Sequence, residues 1–404
     1  MGFVLILTDY KKWCRLVLTK GCVLSKTDKK KGGPAMDQRI KQLAKNLIGY
    51  SVELKKGEKV LIEAIGTNTF PLVDALIEEA TRIGAEPYYL LHDDLVRRRH
   101  IMSATESQMT LEADLQLARM KEMDCYIAVR GSENVLELSD VPADKMKLFS
   151  NQVMRRVHME QRVPHTRWVV LRFPNSSFAQ AAKMSTLQFE DFYFKACLHD
   201  YSGMDKAMGP LKGLMEKTDK VHLVGPGLDL NFSIKGIPAI KCAGKMNIPD
   251  GEIFTAPVKD SVNGVFYSNT PTLYEGNFFC GLRFVFKDGK IVEESCEQGD
   301  PQKLKEILDR DEGARYVGEF ALGVNPHIRR EMLDILFDEK IAGSFHFTPG
   351  GCYDEASNDN KSQVHWDIVV RQFAEQGGGE IWFDDVLIRK DGLFVLDELR
   401  ALNP

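Results

Sequence analysis

Four short apolar runs, KVLIEAI (59–65), EPYYLLH (86–92), CYIAVR (125–130) and RWVVLRF (167–173), alternate with stretches of helical periodicity. This alternation constrains the fold more than any other property of the chain. Antiparallel strands can be joined by two residues, whereas parallel strands need a crossover of a dozen or more, usually a helix. FPLVDALIEEATRIG fits such a crossover, with Gly84 as its C-cap. SATESQMTLEADLQLARMKEMD fits another, with Ser103 and Glu106 spaced as a capping box. Ahead of them, DQRIKQLAKNLIGYSVEL sets Ile40, Leu43, Leu47 and Ile48 on one helical face. The expectation is an N-terminal three-layer α/β domain with a mostly parallel sheet, completed by helices near 187–199 and 203–217. No GxGxxG or P-loop sequence follows the first strand, so nucleotide binding has no support in the sequence.

After about Gly227 the texture changes. DLNFSIKGI, GVFYSNTP, FFCGLRFVFKDGKIVEESC and GEIWFDDVLIRKDGLFVL alternate apolar and polar residues and are split by Lys-Asp-Gly turns. These read as antiparallel hairpins, interrupted by helices near 301–314 and 327–337. The second half is therefore expected to be a β-rich, α+β domain. The predicted organisation is a basic leader (1–35), an α/β domain (36–226) and a β-rich domain (227–404).

The leader stands apart because it is rich in lysine and poor in acid, and the organised pattern begins only at Met36. It reads as a disordered extension or a start-site artefact. The whole chain carries a net charge of -5, which argues against a binder dominated by nucleic-acid phosphates. No apolar run approaches the roughly 20 residues of a membrane-spanning helix. The 8 cysteines are scattered without a CxxC pair, the usage expected of reduced thiols in a cytoplasmic protein.

The second half also places acids and histidines where apolar or tightly turning sequence surrounds them. Glu252 lies in NIPDGEIFTAP, Glu319 in YVGEFALG, and Glu339, His346 and Tyr353 in FDEKIAGSFHFTPGGCY. His365 and Asp367 stand two apart in QVHWDIVV, so on a strand both point to one face and Trp366 to the other. Singly, each has an ordinary structural explanation: a solvated turn glutamate, a hydrogen-bonded core histidine, a packed tyrosine. Together, two imidazoles and three or four carboxylates form the donor inventory of a divalent-metal site suited to Zn, Mn or Co, or to Mg through the carboxylates. The lack of thiolate spacing disfavours a closed structural zinc site.

In these motifs, in their order and rough spacing, the chain from about Met36 onward resembles the AmpS / aminopeptidase T family. The resemblance implies a metalloaminopeptidase with two divalent ions in the β-rich domain, acting on peptides with a free N-terminus. It implies an intracellular homodimer, with neither nucleic acid nor membrane as partner. The family's metal ligands fall on Glu252, Glu319, His346, His365 and Asp367, with Glu339 as a further candidate. Its active-site tyrosine falls on Tyr353, which would steady the oxyanion or the nucleophile, and Glu252 or Glu319 would move the proton. HFTPGGCY departs from the family's His-x-Ala-Leu-Gly, which bears on substrate preference, while the His-to-Tyr spacing is kept. Two other readings remain open at this level. One is a ring-opening dioxygenase with a single Fe(II), since two histidines and one acid also form a facial triad. The other is a non-catalytic peptide-binding homologue.

Overall fold

The computed structural model describes residues 37–404, so the expected leader lies outside the described residues. Strands β1 (Lys59–Ile65), β2 (Glu86–His92), β3 (Cys125–Arg130) and β4 (Arg167–Arg172) form a parallel sheet in the order β2-β1-β3-β4. The short strand Asn247–Ile248 joins it in parallel beside β4. The chain steps from β1 to β2 on one side and then crosses back to β3 on the other. Right-handed crossovers in opposite directions put the connecting helices on opposite faces. Helix Phe70–Arg82 buries Leu72, Val73, Leu76 and Ala80. On the other face, Met109, Ala113 and Met120 of helix Glu106–Lys121 and Val153 and Val157 of the helical segment Ser150–Arg162 pack on Leu61, Tyr126 and Ala128.

Two local expectations are corrected. Ser103 does not start a helix; it ends one, Asp94–Ser103, and the capping box is Thr105 with Gln108. The sequence offers two such pairs in overlapping register, and the second is used because the chain breaks to an extended conformation at Ala104. The helix expected over 327–337 shrinks to Ile335–Asp338. Leu333 is held at φ 57°, and the buried Asp338 carboxylate accepts the backbone N–H of Met332 at 2.5 Å, which folds the preceding residues into turns.

The second half builds two large antiparallel sheets and a two-stranded one, Thr272–Tyr274 with Asn277–Phe279. The larger has eight strands and runs from Lys290–Ser295 at one edge, through Leu228–Ser233 and Lys220–Gly225, to Leu393–Phe394 at the other. Its Lys-Asp-Gly turns are tight because Asp288–Gly289 and Asp391–Gly392 all take positive φ, the type I′ requirement. The smaller sheet orders Ile368–Arg371, Ser344–Pro349, Val317–Gly323, Glu252–Thr255 and Ile240–Cys242. One face of it is aromatic. Phe232 of the larger sheet lies 5.1 Å from Phe320 and 5.3 Å from Phe347, and Phe266 and Phe286 meet Phe347 at 5.9 and 5.8 Å. Alternation then sends the intervening residues of the same strands to the opposite face.

Candidate metal centre

That opposite face gathers the polar residues picked out in the sequence. Glu252 opens its strand, Glu319 and His346 lie in the middle of theirs, and Asp367 immediately precedes the strand that begins at Ile368. Registers Phe320↔Phe347 and Phe347↔Ile368 fix the strands against each other. A bulge between Val317 and Glu319 interrupts regular alternation, so Glu319 pairs with Thr348 although Val317 pairs with the adjacent Pro349. Gly318 sits in the bulge, and a Cβ there would meet the Gly351 carbonyl oxygen at 2.3 Å. His365 is not inside a strand, contrary to the reading of QVHWDIVV as one run; it makes an isolated bridge to Gly350. Its side chain still faces the same way as Asp367, with Nε2 3.3 Å from Oδ1. Trp366 turns away, 2% exposed, and stacks on Tyr274 at 4.8 Å.

The donors form two nests with one member in common. Glu252, Glu319 and His346 present one ligand atom each within 4.8 Å of one another, and so do Glu319, His365 and Asp367. In the first, His346 Nε2 is 3.0 Å from Glu319 Oε1 and 3.6 Å from Glu252 Oε2. In the second, His365 Nε2 is 3.5 Å from Glu319 Oε2. Supporting bonds hold the ligand atoms in place. His365 Nδ1–H donates to the Gly351 carbonyl at 2.8 Å, leaving Nε2 for the cleft. Thr348 donates its hydroxyl to Asp367 Oδ1 at 2.7 Å.

Lys340, which the sequence reading passed over, is 1% exposed and donates to Glu252 Oε1 and Glu339 Oε1, both at 2.6 Å, with Asp250 Oδ1 at 3.6 Å. The usable signal was a lysine inside FDEKIAGSF, where a chain entering a buried strand leaves nowhere for a free charge. Asp250 and Cys242 were passed over as well, and they make a third cluster with Glu252. Glu339 belongs to no cluster of three donors among the described residues. Tyr353 stands at the rim, 49% exposed, with its ring 4.8 Å from that of His365.

The electrostatics are those of acids crowded away from water. Burial pushes the Glu339 carboxyl up to about 8, against the pull of Lys340. Burial likewise raises Asp250 to about 6. Burial opposes a charge on His346, but its bond to Glu319 and the charge of Glu252 outweigh this and lift it to about 9. The buried atoms Glu252 Oε2, Glu319 Oε2 and His346 Nδ1 have no hydrogen-bond partner among the described residues. Unpartnered buried polar atoms are costly, and all three belong to residues of the first nest, so the donor set fits a divalent cation.

Imidazoles and carboxylates gathered in this way on one face of an antiparallel sheet are the donor set that a metal-dependent enzyme uses. A family model described as thermophilic metalloprotease (M29) matches residues 36–380. The chain belongs to that family and is a metal-dependent peptidase. Aminopeptidase T of Thermus thermophilus is 27% identical over 383 residues, spanning 83% of this chain and 93% of the relative. The solved structure of wild-type AmpT from Thermus thermophilus superposes with a TM-score of 0.77 at 24% identity, covering 90% of this chain and 100% of the other. A 2,5-dihydroxypyridine dioxygenase from Pseudomonas putida KT2440 shares the fold at TM-score 0.57 and 14% identity, covering 91% of this chain and 100% of the other.

Proposed function

We propose that this chain is a metal-dependent aminopeptidase that removes N-terminal residues from peptides through two divalent ions. The carrying observation is that two donor nests share Glu319. One ion would lie among Glu252, Glu319 and His346, the other among Glu319, His365 and Asp367, with Glu319 as the bridge. The buried acids Asp250, Glu252, Glu319, Glu339 and Asp367 outnumber the single ammonium of Lys340, an excess that divalent cations would offset. Bound ions of this type polarise a carbonyl and lower the pKa of a coordinated water toward neutrality.

The protein's own groups do the rest. Lys340 engages Glu252 through Oε1 and so leaves Oε2 for the cleft. Glu339, outside both nests and paired with Lys340, would be the carboxylate to take a proton from the nucleophile and return it to the leaving amine, while Glu252 and Glu319 would hold the ions. Tyr353, at the rim beside His365, would donate its hydroxyl to the developing oxyanion. All of these residues lie within 227–404, which we take as the catalytic domain, with 36–226 as the α/β domain, although Lys220–Gly225 pairs into the larger antiparallel sheet and Asn247–Ile248 into the parallel one. The same reading carries a cytoplasmic setting and a homodimer. Peptides with a free N-terminus are its partners, with neither nucleic acid nor membrane. No helix among the described residues is long and apolar enough to cross a membrane.

The test combines elemental analysis with turnover of leucine- and arginine-anilides after chelation and re-addition of Zn, Co, Mn or Mg. Two ions per chain and metal-restored aminopeptidase activity are expected. One iron per chain would point to the dioxygenase chemistry instead, and chelator-insensitive hydrolysis would remove the metal from the reaction.

A further inference from the structure

The two donor nests are held by different parts of the structure. Glu252, Glu319 and His346 of the first lie on strands Glu252–Thr255, Val317–Gly323 and Ser344–Pro349, each with a hydrogen-bonded strand on both sides. The second nest shares Glu319 but takes His365 and Asp367 from a segment outside the ladder. That segment leads into Ile368–Arg371, the edge strand of the same sheet. Its inner side is tied by backbone, with the Trp366 N–H donating to the Pro349 carbonyl at 3.2 Å. An edge presents unpaired backbone groups, so its outer side needs another partner.

Residues 268–279 supply that partner. The Ser268 hydroxyl donates to the Val369 carbonyl at 2.7 Å. Asn269 Nδ2 donates to the Arg371 carbonyl at 2.8 Å, and Asn269 Oδ1 accepts the Arg371 N–H at 3.0 Å. The chain then forms the hairpin Thr272–Tyr274 with Asn277–Phe279, turning through Glu275 and Gly276, both at positive φ. Two strands alone are marginally stable in water. Arg310 holds this pair at its turn, reaching both oxygens of Glu275 at 2.5 and 2.6 Å.

Trp366 holds one face of it. Tyr274 stacks on the indole with 22° between the planes, Phe279 lies against it at 5.3 Å, and the indole N–H donates to Thr272 Oγ1 at 3.3 Å. Alternation turns the cross-strand pair Leu273 and Phe278 to the other face, where they are 39% and 41% exposed. Trp366 stands between His365 and Asp367 and points away from them, so a clamp on its ring fixes the backbone from which both ligand side chains start.

We propose that the hairpin Thr272–Phe279 is a positioning element for the outer donor nest: Tyr274 and Phe279 clamp Trp366 and so set His365 and Asp367 for the ion they would share with Glu319, whereas the ion among Glu252, Glu319 and His346 depends on the sheet alone. This rests on the two-ion reading above.

Titration of the metal-stripped full chain with Co(II), followed by calorimetry and by the visible absorption of the bound ion, tests it. The wild type is expected to bind two ions with separate constants, and the constant lost in His365→Ala marks the outer ion. Tyr274→Leu and Trp366→Leu should weaken that constant about tenfold or more and leave the other unchanged. Tyr274→Phe keeps the stacked ring and should restore wild-type binding. Phe278→Ala, on the exposed face of the same hairpin, should alter neither constant. Two wild-type ions with both constants lowered alike, neither lowered, only the inner one lowered, or Tyr274→Phe as weak as Tyr274→Leu would overturn the proposal and leave the two-ion reading intact. A wild type that binds one ion would overturn that reading and this proposal with it. Should Trp366→Leu fail to fold, Tyr274→Leu decides, because Tyr274 is only partly buried.

Discussion

Lys340 shows how one buried charge organises several others. Its ammonium lies between Glu252 and Glu339, so Lys340→Met leaves two buried carboxylates facing each other without a cation. Breaking a buried pair in this way costs about 3–5 kcal/mol. In melting experiments the variant should lose that much in chelator and recover part of it on adding a divalent ion. An equal loss in both conditions would reduce the lysine to a core filler. Thr348 acts at one remove, through its bond to Asp367. Thr348→Val should weaken metal binding by about 10–100-fold with the fold intact, read by metal titration. The ligand candidates themselves were legible in the sequence, because acids and histidines in apolar strands are conspicuous and their order carried a family resemblance. Lys340 and Asp250 were not, since their importance lies in contacts between residues far apart in the chain, such as Lys340 with Glu252, 88 positions away, that no spacing rule exposes.

At the scale of elements, short-range signals gave the right kind of structure and missed its phase. Ser103–Glu106 and Thr105–Gln108 both satisfy the capping pattern, and only the extended conformation of Ala104 selects between them. Thr105→Ala should destabilise the chain by about 1 kcal/mol, measured by denaturant unfolding, whereas Ser103→Ala should cost little. The helical spacing of residues 327–337 was overruled by Asp338, whose buried carboxylate claims the Met332 N–H. His365 was read into a strand that begins only at Ile368, yet its aim survived because the Gly351 carbonyl fixes the ring from behind. In the last two cases a side-chain or backbone contact outweighed the preference read from local spacing.

For the whole molecule, the parallel half and the hairpin half were both visible as a change of sequence period. The closeness of two sheets, one face aromatic and the other ligating, was not. The α/β half also sets how the protein responds to acid. Burial holds His158 down to about 4, from an ordinary 6.5. The unfolded chain therefore takes up that proton first, and stability falls as the pH drops from 6.5 toward 4, by an amount on the order of 3 kcal/mol. Glu63 is held at about 2: burial alone would raise it, but its bond to His92, the charge of His158 and its bond to Tyr126 prevail. Its contribution is complete above 4.5 and is lost as the pH falls through 2. Denaturant titrations across this range should show the first loss flattened in His158→Gln and the second reduced, because the charge of His158 no longer helps to hold Glu63 down.

The bulge at Gly318 has a further consequence. A residue with no side chain lies against the Gly351 carbonyl, and that carbonyl anchors His365 while the next residue along, Glu319, reaches toward both nests. Bare backbone thickness thus acts as a spacer gauge between the proposed bridging acid and the outer imidazole. A single methyl at position 318 would widen the gap without touching any group that could bind a metal, so the tolerance of the centre is set by a residue that contributes no donor to it.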